Sequence, residues 1–417
     1  MNALDHIAAD LFDSIRAATA DGMGVTRECF GPGEEKALQI LEQRARGLGL
    51  SCSRDTLQNL WISRADEDHA DVPSIIIGSH VDSVPVGGNF DGLAGIVSGI
   101  LILYELQRTG CKTSHPIKVL AMRGEESAWY GKAYIGSLAL LGKLDARTLH
   151  NKRRDGAQTL GQAMTSTGVD VGLIENGKAL LDPSTIAAYV ELHIEQGPVM
   201  VARSWPVAAV TGIRGNIRHQ RIRCIGEAGH SGAVPRWLRK DAMLAVAELL
   251  SRLDERWRVL LQMGMDLVMT AGICQTDSKT HAVSVIPGEV GFSLEVRSQN
   301  KSTLSQFHGL IREECEAIQR SRGVQFEFDD PIESEPAEMS AAWIERLQCA
   351  GTKLGLELET LPSGAGHDAA VFANAGVPSA MVFIRNEHGS HNPHEAMDLQ
   401  DFLLGTRLLM ETLTQPV

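Results

Sequence analysis

The stretch that decides the fold is residues 73–108, PSIIIGSHVDSVPVGGNFDGLAGIVSGILILYELQR. Residues 73–78 predict a buried β-strand, because the run is short, rich in isoleucine and bounded by Pro and Gly. A loop comes next over residues 79–91, and the apolar spacing from about residue 92 to 108 predicts a helix. A strand, a loop and a helix in this order are typical of α/β folds.

Further segments on either side repeat this pattern. Residues 34–48 predict a helix, and apolar runs that end in polar loops predict further strands at 116–122, 187–192 and 379–384. We therefore predict an α/β domain with a mixed central sheet flanked by helices, formed by residues 1–211 and 324–417.

The pattern changes between residues 212 and 323. Strands that alternate polar and apolar residues are predicted at 218–225 and 289–297, and amphipathic helices at 240–256 and 302–321. This order indicates an antiparallel sheet with helices on one face. We predict that residues 212–323 form a separate α+β domain inserted into the first.

Length and composition limit the class of protein. A chain of 417 residues is too long for one ordinary core and favours two domains. The net charge of −13 argues against nucleic-acid and acidic-membrane partners, which require a basic surface. The seven cysteines form no CxxC pair, and we see neither a signal peptide nor an apolar run long enough to span a bilayer. We therefore predict a cytoplasmic protein.

Residues that could bind metal lie just after the predicted strand ends. In open α/β sheets that edge is where sites form. Imidazole and carboxylate ligands suit Zn²⁺ and neighbouring first-row ions, and one carboxylate can bridge two ions. The carboxylate of Asp82 could hold the second ring nitrogen of His80. The ligands we predict are His80, Asp91, Glu126, His193 and His391.

Each of these residues also has an ordinary interpretation. A single loop histidine is usually solvated, and an adjacent pair such as Glu125 and Glu126 usually lies on the surface. This pair comes after an apolar strand and needs a positive neighbour, which Arg123 alone could provide. The complete set of residues is therefore a stronger indication of a metal site than any single member.

Short motifs run along nearly the whole chain. They are GSHVDSVP (78–85), GGNFDG (87–92), EE (125–126), ELHIEQGP (191–198), GHSG (229–232), IPG (286–288), EVR (295–297), SGAGHDA (363–369) and GSHNP (389–393). Their order resembles the hydantoinase/carbamoylase family of amidohydrolases. That family includes N-carbamoyl-L-amino-acid hydrolases and allantoate amidohydrolases, and it is related to aminoacylases and carboxypeptidases with two catalytic metals.

The resemblance implies a dinuclear metal centre in the first domain. His80 and His193 would bind one divalent ion, Glu126 and His391 the other, and Asp91 would bridge the two. Zn²⁺ is the expected metal, with Mn²⁺, Co²⁺ and Ni²⁺ as alternatives. Glu125 would be the general base. The implied reaction is hydrolysis of a linear amide or carbamoyl C–N bond in a small carboxylate-bearing substrate such as an N-carbamoyl-L-amino acid.

The resemblance also implies a substrate site and a homodimer. Gln196, Arg297, Gly366 and His367 match substrate-binding positions of the family. The inserted domain would act as a dimerisation and lid domain, and His230 would stabilise the oxyanion in the neighbouring subunit's site. Two departures leave the substrate open. Ser284 stands where the family usually has Asn before VIPG, and SAWY (127–130) replaces the usual GSRF.

Three other functions remain as alternatives. A dinuclear dipeptidase or carboxypeptidase shares the metal ligands. A metal-binding scaffold without activity would have no need of Glu125 as a base. A hydrolase with a Ser or Cys nucleophile is disfavoured, because the chain has neither a GxSxG elbow nor a cysteine in a catalytic motif.

Overall fold

The computed structural model describes residues 3–65 and 72–415. Its helices are α1 Ala3–Ala18, α2 Pro32–Gly47, α3 Leu93–Thr109, α4 Ile135–Leu140, α5 Leu160–Ser166, α6 Gly172–Glu175, α7 Val199–Arg203, α8 Ala242–Gln262, α9 Lys301–Arg322, α10 Ala341–Lys353, α11 Asp368–Ala373 and α12 Leu399–Thr414. Within the described ranges, no helix combines the length and the apolar character needed to cross a membrane.

The strands are numbered in the same way. They are β1 Ala20–Asp21, β2 Gly24–Val25, β3 Ser51–Arg54, β4 Leu60–Ser63, β5 Ser74–His80, β6 Ile117–Met122, β7 Ile186–Ile194, β8 Val207–Ile213, β9 Gly215–Ile225, β10 Gly229–His230, β11 Val268–Thr270, β12 Cys274–Thr276, β13 Val285–Ile286, β14 Glu289–Ser298, β15 Gln325–Glu327, β16 Ile332–Ser334, β17 Ala337–Glu338, β18 Glu359–Ser363, β19 Ser379–Ile384, β20 Asn386–Glu387 and β21 Ala396–Met397.

The chain forms two compact units. The first contains residues 1–211 and 339–417, and the second contains residues 212–338. We predicted that the second would end at residue 323, and that boundary is wrong. Residues 324–338 belong to the second unit because β15 and β16 both hydrogen-bond to β9. These strands are three residues long, too short for a clear sequence pattern.

The first unit is built on a mixed sheet, as the sequence predicts. Its strand order is β8-β19-β7-β5-β6-β4-β3. The four central strands β19, β7, β5 and β6 are parallel, whereas β8, β4 and β3 are antiparallel to their neighbours. The parallel strands are buried along nearly their whole length, which explains why they read as continuous apolar runs.

Helix α3 covers this sheet closely. A Cβ at Gly95 would lie 2.5 Å from the carbonyl oxygen of Leu192, and one at Gly99 would lie 2.6 Å from Cγ2 of Val119. The two glycines therefore let the helix pack on the strands without a clash. Helices α1 and α12 contact α3 in turn and complete one hydrophobic layer.

The second unit is an antiparallel sheet with two helices. The order of its main strands is β11-β14-β9-β15. Apolar side chains of β9 and β14 alternate with polar ones, and the apolar set forms a core with α8 and α9. This is the α+β architecture that the sequence predicts.

Candidate metal centre

The predicted metal ligands lie around one edge of the first unit's sheet. Strand β5 ends at His80, β6 ends shortly before Glu126, and His193 lies near the end of β7. His391 comes after β19, in the loop between β20 and β21. Because the parallel strands run in one direction, their carboxyl ends meet at the same edge.

Asp91 lies at the centre of these residues. Its Oδ1 is 3.3 Å from Nε2 of His80 and 3.2 Å from Nε2 of His193. Its Oδ2 is 3.6 Å from Nε2 of His391, and that nitrogen is 3.4 Å from Oε1 of Glu126. Each oxygen of Asp91 therefore faces a different group of ligand atoms, and each group could hold an ion.

The charge of the surroundings also fits two cations. Carboxylates crowd the edge of the sheet below the ligands, and burial raises the pKa of both Glu125 and Glu126 well above its usual range. Buried anions are costly without positive partners. Two divalent ions would supply that charge. The buried carboxylates around the ligands include Asp82, Asp91, Glu125, Glu126, Glu191, Asp368 and Glu395.

Backbone carbonyls orient two of the imidazoles. Nδ1 of His80 is 3.0 Å from the carbonyl oxygen of Asp82, and Nδ1 of His193 is 2.9 Å from that of Ile194. A carbonyl only accepts a hydrogen bond, so Nδ1 carries the proton in both rings. The lone pair of Nε2 is then directed toward Asp91, as a metal ligand requires.

Asp82 does more than our sequence interpretation assigned to it. We expected its carboxylate to hold His80, but Oδ1 is 3.5 Å from Nδ1, and the backbone carbonyl is the nearer acceptor. The carboxylate also accepts the backbone N–H groups of Glu125 and Glu126, both at 3.0 Å. Asp82 therefore positions the backbone of the glutamate pair.

Arg123 does not compensate the charge of the glutamate pair, contrary to our suggestion. Its guanidinium donates to Glu34 at 2.5 Å and to Glu35 at 2.9 Å. Glu34 also accepts the N–H of Gly124 at 3.0 Å. Arg123 thus ties helix α2 to the start of the loop that carries Glu125.

The predicted substrate residues of the first unit differ in position. Nε2 of Gln196 donates to Oδ2 of Asp91 at 2.8 Å and to Ser390 at 2.9 Å, so Gln196 borders the metal centre. Gly366 lies against Tyr134, whose hydroxyl oxygen would be 1.5 Å from a Cβ at position 366. A side chain at position 366 would therefore displace this tyrosine.

His367 lies behind the metal centre. It is 1% exposed, its Nε2 is 2.8 Å from the hydroxyl of Ser363, and its ring centre is 4.4 Å from that of His193. Burial lowers the pKa of His367 well below its usual range, with His193 adding to the effect. His367 therefore packs against His193, and the substrate contact that we predicted for it stays a prediction.

Three predicted residues belong to the second unit. His230 of β10 pairs with Val285 of β13, and the N–H of Ser231 donates to the carbonyl of Ser284 at 2.9 Å. The structure thus brings His230 and Ser284 together. Arg297 lies on β14 and donates to Glu295 at 3.0 Å. Their roles toward substrate stay predictions.

Sequence reasoning missed buried polar residues that support the centre. The carboxylate of Glu395 accepts the N–H groups of Phe90 and Asp91, at 2.7 and 3.3 Å. Arg27 is fully buried below the same loop. Glu395 is part of the family resemblance, as the glutamate that accompanies the GSHNP motif, but no role was predicted for it. A single arginine in a loop gives no such signal.

The chain belongs to the peptidase family M20/M25/M40, whose family model matches residues 76–415. It is 34% identical over 397 residues to the N-carbamoyl-L-amino acid amidohydrolase of Geobacillus stearothermophilus, covering 94% of this chain and 93% of that protein. It is 29% identical over 405 residues to the allantoate amidohydrolase of Bacillus subtilis (strain 168), covering 95% and 93%.

A solved structure supports the same grouping. The hydantoinase/carbamoylase family amidase from Burkholderia multivorans superposes with a TM-score of 0.86 at 26% identity, covering 99% of this chain and 98% of that one. The family resemblance predicted from the motifs is thereby confirmed.

Proposed function

We propose that this protein is a metal-dependent amidohydrolase that cleaves a linear carbamoyl or amide C–N bond, with N-carbamoyl-L-amino acids as its substrate class. The observation that carries the proposal is that the two carboxylate oxygens of Asp91 face two different groups of ligand atoms. A carboxylate shared in this way is the arrangement that a dinuclear hydrolase needs.

The residues of the chain have distinct parts in this reaction. His80 and His193 would hold one ion, Glu126 and His391 the other, and Asp91 both. When bound, the ions lower the pKa of a water and polarise the substrate carbonyl. Glu125 takes the proton of the attacking water and passes it to the departing nitrogen.

The local contacts of Glu125 are consistent with its proposed role as the general base. Its backbone N–H is fixed by Asp82, while its side chain is 9% exposed. Within residues 3–65 and 72–415 its carboxylate accepts no hydrogen bond. A carboxylate placed beside the ligand groups and not engaged elsewhere is available to accept a proton.

The relatives support the substrate class. Proteins from Geobacillus stearothermophilus and Pseudomonas sp. (strain NS671), at 34% and 30% identity over 94% of this chain, are N-carbamoyl-L-amino-acid amidohydrolases. By the resemblance, Arg297 would bind the substrate carboxylate, and its planar guanidinium is suited to two-pronged contact with both oxygens.

A substrate panel tests the proposal. The purified protein is stripped with a chelator, reloaded with Zn²⁺, Mn²⁺, Co²⁺ or Ni²⁺, and given N-carbamoyl-L- and D-amino acids, N-acetyl amino acids, allantoate and dipeptides. We expect release of the free L-amino acid from the carbamoyl compounds, lost on stripping and restored on reloading. Full turnover by metal-free protein would contradict metal dependence, and preferred cleavage of dipeptides would indicate a peptidase instead.

A further inference from the structure

Arg27 is a fully buried arginine that has no part in the proposed reaction. It lies between β2 and α2 and is 0% exposed. Burying a guanidinium is costly unless hydrogen bonds and negative charge compensate it. The partners of Arg27 therefore indicate what the residue does.

These partners lie at both ends of the loop formed by residues 81–91. Nε donates to the carbonyl of Val81 at 2.6 Å, and Nη1 donates to Oδ1 of Asn89 at 3.2 Å. The backbone of Arg27 also exchanges two hydrogen bonds with Ser83, at 3.0 and 2.9 Å. The loop begins directly after His80 and ends at Asp91, so Arg27 fixes the segment between these two predicted ligands.

Glu395 holds the same loop at its C-terminal end. It accepts the N–H groups of Phe90 and Asp91, and its carboxylate fills the space that a Cβ of Gly88 would need, with Cδ 2.1 Å from that position. The backbone of Asp91 is therefore held by Glu395, while Asn89, two residues earlier, is held by Arg27. Little freedom remains for the position of the Asp91 carboxylate.

The charge of Arg27 also suits this location. Burial lowers its pKa, and the nearby carboxylates of Glu395, Asp82 and Asp91 oppose that effect. Its Nη2 is buried without a hydrogen-bond partner among the described residues. A guanidinium remains protonated in proteins, so the residue contributes a fixed positive charge beneath the acidic cluster.

We propose that Arg27 is a positioning residue, which sets the location of the Asp91 carboxylate and thereby the affinity of the protein for both ions. This inference rests on the proposed function, because it requires ions at Asp91. Contacts behind metal ligands typically change metal affinity by about 10- to 100-fold when they are removed.

Two variants test this role by metal binding rather than by activity. Arg27→Lys keeps the charge but loses the planar arrangement that reaches Val81 and Asn89 together. Asn89→Ala leaves the arginine in place and removes its Oδ1 acceptor, together with the hydrogen bond from Nδ2 to the carbonyl of Phe12. Affinity for Zn²⁺ and Mn²⁺ is measured by competition with a chromophoric chelator, at a temperature where each metal-free variant is folded.

Arg346→Lys is the matched control. Arg346 donates to the backbone carbonyls of Thr412 and Gln415 at 3.2 and 3.1 Å, in contact with the C-terminal helix. We expect this control to lower Tm without changing metal affinity. We expect Arg27→Lys to weaken binding by about 10- to 100-fold and Asn89→Ala to weaken it less.

The outcomes separate this inference from the proposed function. If the wild-type protein binds no ion, the proposed function fails. If it binds ions and both variants keep the wild-type affinity, only the positioning role of Arg27 is overturned. If Arg27→Lys does not fold, Asn89→Ala decides alone, with weaker binding supporting the role and unchanged binding contradicting it.

Discussion

Glu125 is held through its backbone rather than through its side chain. Its N–H donates to Asp82 at 3.0 Å, and its carbonyl accepts the N–H of Tyr134 at 2.9 Å. Neighbouring Glu126 shares Asp82 but lies close to His391. The two adjacent glutamates are therefore not equivalent. Among the described residues Glu126 belongs to a ligand group with Asp91 and His391, whereas Glu125 belongs to none and interacts electrostatically with His80.

Glu125→Gln tests this distinction. The amide has the same size but cannot act as a base, so we expect metal content to stay the same and kcat to fall by about 10²- to 10⁴-fold. Metal analysis and steady-state kinetics measure both. Glu105→Gln is the control, because the carboxylate of Glu105 pairs with Arg108 on helix α3. Loss of metal from Glu125→Gln would mean that the roles of Glu125 and Glu126 are exchanged.

Among single residues, the sequence predicted the side chains at the ends of strands and missed those buried beneath the loops. His80, Glu126 and His193 could be predicted because each lies at or shortly after the end of an apolar run. Arg27 could not, because its acceptors lie 54 and 62 residues further along the chain. The role of His367 stays a prediction, because a motif does not show whether a side chain faces the substrate or packs behind its neighbour.

Helices and strands determine how closely the site's loops approach each other. The start of α4 contacts both the first residue of α11 and the loop before it. The hydroxyl of Ser137 donates to Asp368 at 2.5 Å, and Tyr134 fills the space beside Gly366. Tyr134 has a φ of +62°, which is uncommon for an aromatic residue. Tyr134 therefore has a backbone conformation of higher energy at the point where it contacts Gly366.

Gly366→Ala tests this contact. The new methyl group would overlap the Tyr134 hydroxyl, and overpacking of this kind costs about 1–3 kcal/mol. Adding Tyr134→Phe removes the overlapping oxygen, so the double variant should unfold at higher denaturant than Gly366→Ala alone. Gly309→Ala is the control, because its methyl group meets no atom within 4 Å and should be neutral or stabilising. Strictly additive effects of the two substitutions would show that the residues do not interact.

The long elements were predictable, whereas the short ones were not. Strands β5, β6, β7 and β19 and helices α2, α3, α8 and α9 have the periodicity expected of them, and their ends differ from the predicted ones by a few residues. Strands β15 and β16 form because their backbones hydrogen-bond to β9. Such pairing depends on tertiary contact and leaves no pattern in three residues.

At the scale of the whole molecule, the predicted functional residues belong to two different units. The metal ligands and Glu125 belong to the first unit, whereas His230, Ser284 and Arg297 belong to the second. The homodimer and the reach of His230 into a neighbouring subunit stay predictions from the family resemblance. The most direct test of the second unit's part is the predicted carboxylate contact of Arg297.

Arg297→Lys keeps the charge but loses the planar group that binds both carboxylate oxygens. We expect kcat/KM to fall for N-carbamoyl amino acids and to change little for the matching substrates that lack the carboxylate, with metal content unchanged. Arg221→Lys is the control, because Arg221 is exposed on β9 of the same unit. An equal loss for both substrates would show that Arg297 does not recognise a carboxylate.

The position of β19 in the sheet determines when, during synthesis of the chain, the first unit can complete its fold. The strand lies between β7 and β8, yet the ribosome synthesises it after the entire second unit. The second unit is continuous and has its own core, so it can fold as soon as it has emerged. The sheet of the first unit stays divided until Ile384 has been added, and His391 and Glu395 are added later still. A chain that is released after the second unit but before His391 therefore contains four of the five predicted ligands and cannot complete the metal centre.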